Sequence, residues 1–103
     1  MIDVLETIVL QITIKEPVLS ISNAGALYSE LQAAVNRNKM DIEMNFAAVQ
    51  SLDSSTIAML VKFIQYLSGS KRTVTLTDVS PEIIQTFKIT KLSHFYKIRE
   101  RKA

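Results

Sequence analysis

Four short segments of the chain carry the apolar pattern of β-strands. Residues 7–13 are few and rich in β-branched side chains, which is a composition typical of strands. Residues 40–46 alternate strictly between apolar and polar types, and residues 73–77 do the same. A period of two predicts a strand with one buried face. Residues 95–98 predict a last, short strand, so the predicted strands are spread along most of the chain.

Three longer segments between these strands have the period of an amphipathic helix. Residues 20–35 repeat apolar side chains at helical spacing, although Gly25 weakens the first turn by up to about 1 kcal/mol relative to alanine. Residues 54–68 predict the strongest helix. Ser80-Pro81 predicts the start of the third, because serine favours the N-cap and proline favours the first turn. The apolar face of the second helix is predicted from five positions, which are Ile57, Leu60, Val61, Ile64 and Leu67.

The order of these elements is strand, helix, strand, helix, strand, helix, short strand. Such alternation predicts an α/β fold, with a mixed, mostly parallel sheet of four to five strands and three or more crossover helices. The 103 residues suffice for a single domain over 1–103, ending in a short basic tail at about 99–103. Binding sites of such sheets gather where strands end and helices begin. Asp53-Ser54-Ser55 occupies such a junction.

Charge is distributed unevenly along the chain. Acidic residues dominate up to Asp53 and basic residues dominate from Ser54 onward, for a net charge of +2. The basic tail could touch nucleic acid or anionic lipid, but terminal charge runs are usually solvated, and we expect a frayed terminus. The acidic start lacks the basic region of a secretory signal, and no apolar run approaches the roughly 20 residues that span a bilayer. We therefore expect a cytoplasmic protein without membrane insertion.

Several kinds of chemistry are not expected of this sequence. It has no cysteine, and His94 is its only histidine, so no metal site and no catalytic triad is predicted; we expect His94 to be partly exposed and structural. Its two glycines, Gly25 and Gly69, are far apart, which excludes the glycine-rich phosphate loops of nucleotide cofactors. No strand interleaves aromatic and basic residues as RNA-binding sheets do. The sequence thus predicts no enzyme, no cofactor and no direct nucleic-acid partner.

Asp53-Ser54-Ser55 is, taken alone, most simply a helix cap. The side-chain oxygens of aspartate and serine satisfy the free N–H groups of a first helical turn. The surrounding sequence adds to this interpretation. Residues 44–57, MNFAAVQSLDSSTI, carry an apolar strand, a short loop, an apolar residue and then the Asp-Ser-Ser that opens a helix.

This segment resembles the signature of the STAS family, whose members include the bacterial anti-sigma factor antagonists. Residues 73–76 are similar to the family's next strand, and residues 80–92 resemble its Ser-Pro…Phe…Ile-Thr-Gly-Leu segment. The spacing between the pieces also fits, and the resemblance covers about residues 7–98. It implies a STAS-like fold and a protein-interaction switch.

The chain departs from the family pattern in three places. Thr56 stands where the family usually has glycine, and its β-carbon and hydroxyl are expected to add bulk where a partner approaches. Ile14-Lys15-Glu16-Pro17 stands where many members have a Gly-Glu-Leu-Asp-like segment. Lys91 replaces the glycine before Leu92. We therefore expect the partner, or the strength of its binding, to differ from the best-known members.

The resemblance implies Ser54 as the phosphoacceptor, with Ser55 and then Thr56 as fallback hydroxyls. It also implies a serine kinase of the anti-sigma type, bound in the unmodified state and released by phosphorylation, and a resetting serine phosphatase. The chain is expected to be a monomer or a weak dimer. An alternative is a constitutive STAS subunit of a larger assembly, such as a lipid-transport ABC complex; a hydrolase using Ser54 is remote. The implied partner surface comprises Asp53, Ser54, Ser55, Thr56, Ile57, Ala58, Met59 and Lys62.

Overall fold

The computed structural model describes residues 2–6 and 8–102. Three α-helices and a short 3-10 helix (Leu92–His94) alternate with the strands of one large and one small sheet. In chain order the strands and α-helices are β1 (Ile2–Glu6), β2 (Leu10–Ile14), β3 (Val18–Leu19), α1 (Ile21–Val35), β4 (Ile42–Asn45), β5 (Ser51–Leu52), α2 (Ser54–Tyr66), β6 (Val74–Val79), α3 (Pro81–Ile89) and β7 (Lys97–Glu100).

The large sheet has five strands in the order β1-β2-β4-β6-β7. β1 and β2 are antiparallel, whereas β2, β4, β6 and β7 are parallel neighbours. This arrangement confirms the predicted α/β class with a mixed, mostly parallel sheet and crossover helices. β1 was not predicted, because its acidic residues Asp3 and Glu6 are types that strands usually lack. β1 is stabilised by its pairing with β2, from Ile2–Ile14 to Glu6–Leu10, and not by the strand propensity of its own residues.

The first and the last of the predicted strands are displaced along the chain. The strand expected at 7–13 is β2 at 10–14, with bends at Ile8 and Val9, and Thr7 lies outside the described residues. The strand expected at 95–98 is β7 at 97–100. Tyr96 does not extend it, because its backbone N–H donates to the Leu92 carbonyl at 3.2 Å. The Tyr96 side chain is buried and donates a 2.7 Å hydrogen bond to the Leu60 carbonyl.

The sheet has one apolar face, and the helices cover it. Its core positions on β2, β4 and β6 are 0–2% exposed, and Phe46 packs edge-to-face on Phe87 of α3, with ring centroids 6.1 Å apart. Alternate residues of the same strands are polar, in agreement with the period-two pattern. The buried strand residues that form this face are Leu10, Ile12, Ile14, Ile42, Met44, Val74 and Leu76.

The buried side of α2 is rotated from the predicted one. Thr56, Met59, Leu60 and Phe63 are its buried residues. Of the predicted positions, only Leu60 and, just after the helix, Leu67 are buried, whereas the other three are half-buried. α2 packs along α1 on one side, and this contact accompanies the rotation. Its consequence is that Thr56 faces the interior.

The basic tail is docked at the sheet edge, so the expectation of a frayed terminus is wrong for residues 99–101. Arg99 belongs to β7 and forms a 3.1 Å ion pair with Glu43 on β4. The Arg101 backbone N–H donates to the Val79 carbonyl at 2.8 Å. Its guanidinium donates to the Ala47 carbonyl at 2.8 Å. Lys102 is exposed, and Ala103 lies outside the described residues.

Candidate functional site

Helices α1 and α2 begin side by side because two very short strands pair just before them. β3 and β5 form a parallel ladder in which Val18 lies opposite Ser51 and Leu19 opposite Leu52. The Asp53 backbone N–H extends this ladder by donating to the Leu19 carbonyl at 3.1 Å. A helix starts two residues after each strand. The β3–β5 pair therefore places two helix N-termini next to each other at one end of the domain.

Each of the two helices starts with a side-chain cap. Ser20 caps α1 in a capping box with Asn23, whose Oδ1 accepts from the Ser20 backbone N–H at 2.9 Å. The Asn23 amide also donates to the Val18 carbonyl at 2.8 Å. These bonds occupy polar groups that a helix start would otherwise leave without partners. The predicted helix starts at 20 and 54 agree with the structure to within one residue for this reason.

Asp53 caps α2 and also holds the start of α1. Its Oδ1 accepts from the Thr56 backbone N–H at 3.0 Å and from the Thr56 hydroxyl at 3.3 Å. Its Oδ2 accepts at 3.0 Å from the backbone N–H of Ile21, the first residue of α1. One carboxylate thus lies between the positive ends of two helix dipoles. We call this arrangement the Asp53 clip.

The clip lowers the pKa of Asp53 below its usual value of 3.8. The hydrogen bond from the Thr56 backbone N–H is the largest cause, partial desolvation opposes it, and the Ile21 N–H lowers the pKa further. A carboxylate that accepts several N–H groups is favoured in its charged form. Asp53 is therefore anionic at neutral pH.

Ser54 is the first residue of α2, and its side chain is exposed to solvent. Ser55 follows and is half-buried. A serine at this position is close to the N–H groups of the first helical turn, which together with the helix dipole favour a bound negative charge. Of the three hydroxyl residues predicted as phosphoacceptor or fallback, Ser54 is exposed, Ser55 is half-buried and Thr56 is buried.

The expectation that Thr56 adds bulk toward a partner needs correction. Its side chain is 0% exposed, and its hydroxyl donates to Asp53 rather than facing solvent. Met59 is also nearly inaccessible, at 6%. Both residues belong to the stripe of α2 that packs inward. The surface available to a partner consists of Ser54, Ala58 and Lys62, which are exposed, with Asp53, Ser55 and Ile57 half-buried between them.

A shallow groove of about 300 Å³ runs between α1 and α2 beside Ser54. Lys62 lies on its rim with its ammonium 4.8 Å from the centroid of the Tyr28 ring, a distance within cation–π range. The Tyr28 ring in turn meets Tyr66 edge-on, at 6.5 Å between centroids. We call this feature the α1–α2 groove. Its lining comprises Ile21, Ala24, Gly25 and Tyr28 from α1, with Ser55, Ala58, Met59 and Lys62 from α2.

Sequence reasoning placed the site on α2 alone and missed the α1 half of the groove. Ile21 is 77% exposed although it is a large apolar residue, and its N–H is held by Asp53 across 32 positions of sequence. The isoleucine directly after the Ser20 cap could have indicated an exposed apolar surface on α1. It falls outside the apolar stripe of that helix, which comprises Ala24, Leu27, Leu31, Ala34 and Val35.

The described residues also bear on the predictions about metal sites and membrane spans. Within 2–6 and 8–102, no group of three or more histidine, cysteine, aspartate or glutamate side chains is arranged to hold a metal ion. His94 is exposed at the end of the 3-10 helix. No helix within the same ranges has the length and apolar character needed to cross a membrane.

Comparison with known families places the chain in one of them. The family described as STAS domain matches residues 2–103. None of the curated proteins matches the sequence.

Solved structures agree with the chain in fold. An anti-sigma-factor antagonist (STAS) domain protein from Planctomyces limnophilus superposes with a TM-score of 0.82 at 18% identity, covering 98% of this chain and 91% of that one. The anti-sigma factor antagonist SpoIIAA in its unphosphorylated form gives 0.70 at 14% identity, covering 100% and 90%. The murine anion transporter Slc26a9 gives 0.75 at 12% identity, covering 92% of this chain but 16% of the transporter.

Proposed function

The chain belongs to the STAS domain family, and from that premise we propose that it is a phosphorylation-controlled protein-interaction switch resembling the anti-sigma factor antagonists. Ser54 is the phosphoacceptor. The unmodified chain binds a serine kinase of the anti-sigma type, and phosphorylation of Ser54 by that kinase releases it. A serine phosphatase restores the binding form. The domain performs no catalysis of its own and acts in the cytoplasm.

The observation that carries this proposal is the exposed Ser54 hydroxyl beside the Asp53 clip. Asp53 already caps α2, so Ser54 is not needed as a cap and its hydroxyl is available to an enzyme. A phosphate would add about −1.5 to −2 charges at the positive end of α2. There the helix favours a negative charge by roughly 0.3–1 kcal/mol, against the repulsion of Asp53. Phosphorylation should therefore leave the fold intact and act on binding.

Release follows from the cost of burying charge. A partner surface fitted to a neutral hydroxyl would have to desolvate a nearly doubly charged group, and this is costly unless a cation pairs with it. The half-buried and exposed residues around Ser54 form a small surface, so a single phosphate alters a large share of it. The expected consequence is dissociation without a large change of shape.

Phosphate mapping and Ser54 variants test the proposal. Protein purified from its native host should carry a single phosphate, and peptide mapping should place it on Ser54. In titrations with the kinase, Ser54→Ala should bind as the unmodified chain does, whereas Ser54→Asp should bind at least about 100-fold more weakly, because a charge enters the contact. Ser51→Asp is the matched control, since Ser51 is an exposed serine on the neighbouring strand β5.

Two outcomes would contradict the proposal. Equal binding of Ser54→Ala and Ser54→Asp would show that the charge at this position does not control the complex. A stable complex with an ATPase, with no phosphate on the native protein, would favour the constitutive subunit instead.

A further inference from the structure

The α1–α2 groove leaves apolar surface uncovered next to the proposed phosphorylation site. Of the residues that line the groove, Ile21 is 77% exposed, whereas Ala24 and Met59 are 5% and 6% exposed. Ser55 lines the same groove, and Ser54 precedes it in α2. The groove is therefore continuous with the surface proposed to meet the kinase, and small side chains on both helices make it a trough.

Gly25 has no structural reason within the domain. It lies in the second turn of α1, where glycine costs up to about 1 kcal/mol relative to alanine. A β-carbon at this position would meet no atom within 4 Å, so the packing of the chain would tolerate alanine. Glycine at such a position suits the close approach of another molecule. The site of that approach is the groove, because Gly25 lines it.

The charges around the groove favour a negatively charged occupant. α1 and α2 both begin at this end, and neither has an acidic residue in its first turn. Each helix start is equivalent to about half a positive charge, and the Asp53 carboxylate offsets the two. Among the described residues that line the groove, Lys62 is the charged one. Its ammonium therefore sets the sign of the potential along the trough.

We propose that the α1–α2 groove binds an amphipathic helix of the partner protein, one with acidic residues beside its apolar stripe. The apolar side chains of that helix cover Ile21 and pack over Gly25, while a carboxylate meets Lys62. This inference rests on the proposed function, because it describes the partner of the same surface. It also adds a physical reason for release, since a phosphate on Ser54 would repel an acidic helix through like-charge interaction.

A display library of 16-residue peptides provides the probe. The peptides share a helix-favouring framework and vary at one face, and the full chain serves as bait. Selected peptides should combine acidic and apolar residues. In fluorescence titrations they should lose about ten-fold or more in affinity with Lys62→Glu, which reverses the charge, and with Gly25→Leu, which fills the trough. The loss with Lys62→Glu should shrink as salt is raised.

Two control variants make similar changes of charge and of size at residues outside the groove. Lys88→Glu alters an exposed lysine on α3, and Ala26→Leu enlarges the exposed neighbour of Gly25 on α1. Both should bind the peptides as the unmodified chain does. Thermal unfolding should show that Gly25→Leu remains folded, because leucine favours helix and its β-carbon would meet no atom within 4 Å.

The proposal is overturned if the selected peptides are basic, if all four variants bind alike, or if no peptide is enriched. It is also overturned if the free chain is a dimer that Gly25→Leu dissociates, since a second copy would then be the occupant. None of these results depends on a kinase or on phosphate. The experiments therefore distinguish a groove that binds no acidic helix from a Ser54 that is not a phosphorylated switch.

Discussion

At one end of the α1–α2 pair, the Asp53 carboxylate accepts hydrogen bonds from both helix starts. At the other end, the Arg72 guanidinium donates hydrogen bonds to the C-terminus of α1 and to the residues that follow it. Arg72 donates to the Val35 carbonyl at 2.8 Å, to Asn38 Oδ1 at 3.4 Å and to the Met40 carbonyl. Each charge complements the dipole end that it meets, an anion at N-termini and a cation at a C-terminus. At both ends, a charged side chain therefore stabilises a helix terminus, with a negative charge at one end and a positive charge at the other.

The surroundings of the two charges differ. Arg72 is half-buried among backbone carbonyls, and desolvation lowers its pKa while nearby Asp41 raises it. Asp53 lies beside an exposed serine and an uncovered apolar groove. Grooves lie near both ends, since Arg72 itself lines one of about 550 Å³ that also includes the exposed Phe95. Under the proposed function, the Arg72 clip serves stability alone, whereas the Asp53 clip also supports the surface for a partner.

The largest expected effect on stability is at the Arg72 end. Arg72→Met should lower the free energy of unfolding by about 2 kcal/mol, because hydrogen bonds to a charged group are lost and carbonyls are left with fewer partners. Urea unfolding followed by circular dichroism measures this, with Arg37→Met as the exposed control. Binding of the kinase should be unchanged. A weakened complex in a folded Arg72→Met protein would break the proposed division between the two ends.

Asp53→Asn should separate the two halves of the clip. In asparagine an NH2 group replaces one carboxylate oxygen, so in the observed geometry the side chain cannot accept from both the Ile21 N–H and the Thr56 N–H. The loss of stability should be smaller than for Arg72→Met. The Thr56 N–H also donates to the Asp53 backbone carbonyl at 3.1 Å, so the loss of the side chain is measured at Ile21. In Asp53→Ala, which removes both oxygens, hydrogen exchange at the Ile21 amide should speed up by roughly ten-fold. If this amide kept its protection in Asp53→Ala, the carboxylate would not be what joins the helix starts.

The pH dependence of stability reports the same clip. The pKa of Asp53 is lowered from 3.8 in the folded chain, so its stabilising effect is complete above about that pH. The effect is lost as the pH falls through the lower folded value. Unfolding curves of the unmodified chain and Asp53→Asn should therefore converge on acidification. Curves that stay parallel below pH 3.8 would contradict the lowered pKa.

Thr56→Val should cost about 1 kcal/mol, because it removes a buried hydroxyl that donates to Asp53 while keeping the shape of the side chain. Since Thr56 is 0% exposed, kinase binding should not change. Thr73→Val, at an exposed threonine before β6, provides the control. A variant that unfolds normally but loses the partner would restore the original expectation that residue 56 faces the partner.

The smallest effect is expected from Tyr66→Phe at the far end. The Tyr66 hydroxyl donates to Asn36 Oδ1 at 2.8 Å, but both residues are exposed. Its removal should change the free energy of unfolding by less than about 0.5 kcal/mol. Urea unfolding measures the change, and a loss above 1 kcal/mol would mean that this end depends on more than Arg72.

Local signals explain what the sequence could predict. Ser20, Asp53 and Ser80 cap the three α-helices, and a cap residue before an apolar stripe is visible without the fold. Alternation in the β4 and β6 segments likewise predicted strands with one buried face. The STAS assignment depended on the spacing of such local pieces, which is why it could be made before the structure.

Non-local contacts explain what the sequence could not predict. β3 and β5 have two residues each, too few for a period, and exist because they pair with each other. Thr56 faces inward on the side of α2 that packs on α1, and these two helices begin 33 positions apart in the sequence, at Ile21 and Ser54. The α1 half of the groove was missed for the same reason.

The Asp53 clip has a consequence for the life of the newly made chain. Ile21 leaves the ribosome well before Asp53, and the paired helix starts can form only after both βα units have emerged and docked. A kinase that reads the assembled surface would ignore nascent, nicked or unfolded copies, even though each contains the Asp-Ser-Ser sequence. Under the proposed function, only folded chains would then be phosphorylated, and no separate component would be needed to exclude unfolded ones.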